Sequence, residues 1–116
     1  MAKVIFSVQY EINPDKREDY VGVVRELKNL LKAEGLESYN VYEVKSKANH
    51  FQELFTFKSM EAYEQFEDDQ NERINILINK LSDFTEGHSS KYTLLNELEL
   101  SSCVKNIVIF FSFFLS

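Results

Sequence analysis

Between residues 51 and 57 the chain reads FQELFTF, which places Glu53 two residues from Phe51 and two from Phe55. In an extended strand the acid and the rings share one face. A carboxylate desolvated by aromatic neighbours has a raised pKa and is a candidate base near neutrality; the plainer reading is a glutamate that is paired or reaches solvent at a sheet edge. His50 and His88 each stand at the start of a predicted strand, where an imidazole could serve as a general base at a cavity mouth or be an ordinary loop histidine. Tyr63 and Phe66 fall three apart on a predicted helix, so together with Phe57 they could stack on a flat ligand or simply fill the core.

Other chemistries find no residues to carry them. No serine sits in a glycine-flanked elbow, and the one cysteine, Cys103, lies beyond the predicted fold. Gly22, Gly35 and Gly87 are too far apart for a phosphate loop or a dinucleotide fingerprint. One cysteine and two separated histidines give no zinc-type spacing, so neither a metal nor a cofactor is indicated. The formal charge of -6, with 19 acids against 13 bases and no basic run, argues against a nucleic-acid or anionic-membrane partner. A single cysteine fits a reducing cytoplasm, and no basic, long-apolar leader precedes the first predicted strand.

The elements that must position these residues are legible from period and punctuation. Residues 3–12 alternate with period two as a half-buried strand, with Val4, Phe6, Val8, Tyr10 and Ile12 on one side. Asn13-Pro14 is a helix start, followed by acids in the first turn and by an apolar stripe of Tyr20, Val23, Val24, Leu27, Leu30 and Leu31. Gly35 supplies a left-handed stop. Residues 36–45 form a second strand whose less regular alternation predicts partial cover on both faces, and residues 46–49 return the chain antiparallel into the third strand from His50. Ser59 then caps a helix, and the polar run 67–71 predicts a kink or two helical pieces before Ile74, Leu77, Ile78, Leu81 and Phe84 resume the stripe. Gly87 closes that helix, and residues 92–100 alternate as a fourth strand.

The order β, α, β, β, α, β predicts a ferredoxin-like α+β fold, a four-stranded antiparallel sheet with both helices on one face. Several strands carry apolar residues on both sides, so the face away from the helices is expected to be too apolar for water and to be covered by a second copy of the chain as a homodimer. Residues 1–100 then make one domain. Residues 101–116 are an apolar C-terminal tail whose uninterrupted apolar run is well short of the roughly twenty residues needed to cross a bilayer.

The Asn13-Pro14 start, Gly35-Leu36 with Ser38-Tyr39, Asn49 with Phe51, and the run from Phe57 through Lys58, Ser59, Met60, Glu61 and Ala62 to Tyr63 carry a resemblance to a known family. Over roughly residues 3–99 the chain resembles the dimeric α+β barrels of the antibiotic biosynthesis monooxygenase type. That resemblance implies a dimer with a cavity between sheet and helices in each protomer. In some members it implies cofactor-independent oxygenation of a small aromatic or quinol substrate. The family carries an acid where Phe55 stands, a tryptophan where Phe57 stands and a histidine where Phe66 stands; in a haem-degrading branch that histidine binds iron, so haem degradation is not expected here. The alternative is a non-catalytic dimeric barrel that binds or senses a small hydrophobic molecule. A closed pocket with two or more convergent polar groups favours the enzyme, and one filled by phenylalanine rings favours a binding or structural role.

Overall fold

The computed structural model describes residues 2–68, 71–87 and 89–100. The described elements are β1 (Val4–Glu11), a single 3-10 turn (Pro14–Lys16), α1 (Arg17–Leu30), β2 (Leu36–Glu43), β3 (His50–Phe57), α2 (Met60–Asp68), α3 (Glu72–Phe84) and β4 (Lys91–Asn96). The strands pair antiparallel in the order β2-β3-β1-β4, the ferredoxin-like arrangement.

Period two decides which side chains meet. Across β1 and β3 the register sets Val4 opposite Phe57, Phe6 opposite Phe55, Val8 opposite Glu53 and Tyr10 opposite Phe51. All eight therefore point to the same face. Tyr20, Val23 and Leu27 of α1 and Leu77 and Leu81 of α3 pack into one core with that face, so the helices lie on a single side of the sheet.

Local chemistry sets the element ends. Asn13 Oδ1 accepts from the Asp15 amide at 2.9 Å, and the turn it starts is 3-10 before α1 begins at Arg17. Ser59 Oγ accepts from the Ala62 amide at 3.1 Å and starts α2. The second helical segment is two pieces, because Asn71 Oδ1 caps α3 by accepting from the Ile74 amide at 3.0 Å. Gly35 has φ 88°, and a Cβ there would come within 2.5 Å of Ala62 Cβ. Only glycine meets both conditions.

Three expectations need correction. The second strand ends at Glu43, not 45, since Val44 and Lys47 enter a turn in which Ser46 and Asn49 take positive φ. The fourth strand runs only from Lys91 to Asn96 because β1, its partner, begins at Val4 opposite Asn96. On the sheet face away from the helices, Ile5, Leu54, Tyr42 and Leu95 are interspersed with Ser7, Gln9, Asn40, Gln52 and Thr93, and Gln52 donates to Ser7 Oγ at 2.8 Å. That face is an apolar strip set among polar groups and not a continuous apolar surface. Within β2, Tyr39 alone is buried. No helix among the described residues is long and apolar enough to cross a membrane, and the expected tail at 101–116 lies outside the described residues.

Candidate functional site

Glu53 sits in the middle of β3 on the helix-facing side and is 4% exposed. Its neighbours across the sheet are Val8 on β1 and Val41 on β2, so no cation reaches it from either strand. Two tyrosines hold it instead. The Tyr10 hydroxyl donates to Oε1 at 2.6 Å and the Tyr39 hydroxyl donates to Oε2 at 2.6 Å. Since the one proton of Tyr10 is committed to Glu53, the Tyr20 hydroxyl, 2.9 Å from that of Tyr10, is the donor in their bond. The result is a chain running from Tyr20 through Tyr10 to Glu53 and on to Tyr39.

Burial pushes the Glu53 carboxyl above the ordinary glutamate range, and the two tyrosine hydroxyls pull partly against that rise by stabilising the charged form. Burial and the adjacent carboxylate both push Tyr10 and Tyr39 well above the usual phenol range, and burial does the same to Tyr20. The tyrosines therefore stay protonated and act as fixed donors. Glu53 is the group in the cluster that gives up or takes a proton most readily.

A cavity of about 180 Å³ lies between the sheet and α1, α2 and α3, and Glu53 and Tyr10 form part of its wall. The remaining wall is largely apolar, including Val8, Leu27, Phe55, Phe66 and Leu81. Ser82, Thr85 and Ser90 also line it. An engineered apolar cavity of about 150 Å³ accepts benzene, so this volume suits one aromatic ring. A carboxylate has about four lone-pair sites, and the two tyrosines use one on each oxygen, which leaves acceptor capacity for a ligand hydroxyl.

The other residues singled out from the sequence are dispersed. Phe66 lines the cavity; its ring lies 5.9 Å from that of Phe55 and 5.2 Å from that of Phe57. Phe57 is fully buried and packs edge-on to Tyr63 at 5.5 Å, outside the cavity wall. Tyr63 lines an adjoining pocket. His50 is on the face away from the helices, with Nδ1 3.1 Å from the Ala48 carbonyl and Nε2 3.7 Å from Glu11. His88 lies outside the described residues. Reasoning from period alone treated Tyr10, Tyr20 and Tyr39 as apolar stripe residues and missed their hydroxyls. The signal available was three tyrosines at core positions, since a buried phenol needs a partner and Glu53 was the acid on a core-facing strand position.

No family model matches the chain, and no curated protein does either. Solved structures do resemble it. A conserved protein from Methanosarcina mazei superposes with TM-score 0.73 at 15% identity, covering 84% of this chain and 95% of that one. A Nitrosomonas europaea protein provisionally named an antibiotic biosynthesis monooxygenase gives TM-score 0.72 at 11% identity over 84% of this chain and 91% of that one. A cofactor-independent oxygenase from Streptomyces nogalater gives TM-score 0.66 at 12% identity over 80% and 90%. At such identities the likeness is one of fold. The chain is a ferredoxin-like α+β domain with the architecture of these antibiotic biosynthesis monooxygenase structures.

Proposed function

We propose that the protein binds a small phenol or quinol in the cavity and oxygenates it without metal or flavin, with Glu53 as the base. The observation that carries this reading is a glutamate with both oxygens fixed by tyrosines, buried in the wall of a largely apolar cavity of about 180 Å³. A raised pKa brings the carboxylate nearer the pH at which general-base catalysis is most efficient. Glu53 takes the ligand's hydroxyl proton and leaves an electron-rich phenolate. Dioxygen, the co-substrate, then places one atom on the ring as a carbonyl, while the other departs as water with the two hydrogens the substrate loses. No external reductant is needed, because the substrate supplies both electrons that reduce the second oxygen atom to water.

The test is oxygen uptake against a panel of hydroquinones. Wild type should consume one dioxygen per substrate, and Glu53→Gln should lose on the order of a hundredfold or more of that rate, the usual range for a general base. No uptake across the panel, or uptake that ignores the substitution, rejects the oxygenase reading. A second reading is binding or sensing without chemistry. It is favoured by Phe55, Phe57 and Phe66 standing where the resembling family carries an acid, a tryptophan and a histidine. Thermal stabilisation by the same phenols without oxygen uptake would select it.

The assembly that goes with either reading is a homodimer closed over the strip of Ile5, Leu54 and Leu95, with residues 101–116 as a segment distinct from the domain. A reducing cytoplasm suits its single cysteine. Sedimentation at micromolar concentration should give a dimer, and a monomer there rejects it.

A further inference from the structure

Beside the cavity lies a second chamber of about 190 Å³, and the two share Phe6, Phe66, Ile74 and Ile78 as a common wall. Two rings form the aromatic part of that partition. The Phe6 ring is 5.7 Å from Phe55 on one side and 5.7 Å from Tyr63 on the other, while Phe66 extends from α2 against Phe55. Both rings are half-buried, but Phe6 is fixed in the middle of β1 between two paired strands, whereas Phe66 lies near the C-terminal end of α2. Phe66 is thus the partition residue that strand pairing does not hold on both sides.

The second chamber differs in chemistry from the first. Its remaining wall is Tyr63, Glu67, Asn71 and Asn75. No lysine or arginine lines it among the described residues. An exposed carboxylate sharing a wall with the rings of Tyr63 and Phe6 is suited to a protonated amine, which takes an ion pair from one and cation–π attraction from the others. Glu53 and Phe55 are two residues apart on a strand and Phe55 meets Phe66, next in sequence to Glu67, so the two polar poles are separated by something on the order of 10 Å.

We infer that the natural ligand is elongated: a phenol whose hydroxyl meets Glu53 and whose far end carries a protonated amine held at Glu67, with Phe66 as the residue that admits the tail. This rests on the phenol-binding reading above and adds the ligand's second pole. The test is a matched pair of probes, 4-ethylphenol and tyramine, which share ring and chain and differ in the amine. Titration calorimetry on wild type should show tyramine binding about three- to fivefold more tightly than 4-ethylphenol. Glu67→Gln should abolish that preference and leave 4-ethylphenol unchanged. Glu64→Gln, which removes the same charge from an exposed position of α2 outside the chamber, should keep the preference.

If 4-ethylphenol binds and tyramine binds no more tightly, the second pole is rejected while the phenol site stands. A preference lost equally in both variants reflects overall charge and also rejects it. If neither probe binds, both readings fall.

Discussion

Tyr39→Phe isolates the force that holds the Glu53 carboxylate. The ring of Tyr39 packs 4.7 Å from that of Phe55 and the residue is buried, so phenylalanine keeps the packing and removes only the hydroxyl. What is lost is one 2.6 Å hydrogen bond to Oε2 of a buried acid, and bonds to charged groups contribute about 1.5–3 kcal/mol. The cost must depend on pH. Burial raises the folded-state pKa of Glu53 above its ordinary 4.5, so the folded protein binds more protons than the unfolded chain between those values and stability falls as pH rises through that window. Removing a donor to the charged form raises the folded-state pKa further. The variant therefore pays little at acid pH, where Glu53 is protonated in both proteins, and the full about 1.5–3 kcal/mol at alkaline pH. Urea denaturation of both proteins over a pH series rising from 4.5 measures the difference. A destabilisation that does not change across the series would refute the account, because the hydroxyl would then not be stabilising a carboxylate.

Further outcomes follow from other parts of the molecule. Gly35→Ala should destabilise by about 2–3 kcal/mol in urea denaturation, since φ 88° strains any side chain and the added Cβ meets Ala62 at 2.5 Å. Phe57→Leu should cost on the order of 1–2 kcal/mol of stability and leave 4-ethylphenol affinity within about twofold, because the fully buried ring packs on Tyr63 and Phe66 and not on the cavity. A ligand affinity that falls with stability unchanged would assign Phe57 to the site instead. The Glu43 carboxyl, held down to about 2 by the Arg17 guanidinium and the Asn49 amide, contributes stability above its ordinary 4.5 that is lost as pH falls toward 2. Glu43→Gln should accordingly flatten acid denaturation in that range, followed by circular dichroism. Ser59→Ala should cost about 1 kcal/mol through the lost cap on α2, read from the urea midpoint.

The sequence alone determined the order of elements, because hydrophobic period is a local property: two for β1 and β3, near 3.6 for α1 and α3, with Asn13-Pro14 and Ser59 marking helix starts; Gly35 does not stop α1, which ends at Leu30. It also put Glu53 on an aromatic strand face, which period two requires once Phe51, Phe55 and Phe57 face the core. What it could not determine was the company that glutamate keeps. Tyr10, Tyr20 and Tyr39 lie 43, 33 and 14 residues from it in the chain, and a tyrosine at a core position reads as a ring until register brings its hydroxyl to an acceptor. The separation of Phe66 from Phe57 is of the same kind. Both are aromatic and both are core-facing in sequence, yet Phe57 is enclosed between sheet and α2 while Phe66 borders empty volume, because α3 packs against α1 and leaves a gap over β1 and β3 that no local pattern encodes. Strand length was decided the same way: residues 97–100 have the alternation of a strand, but β1 begins at Val4 opposite Asn96, and a strand ends where its partner does.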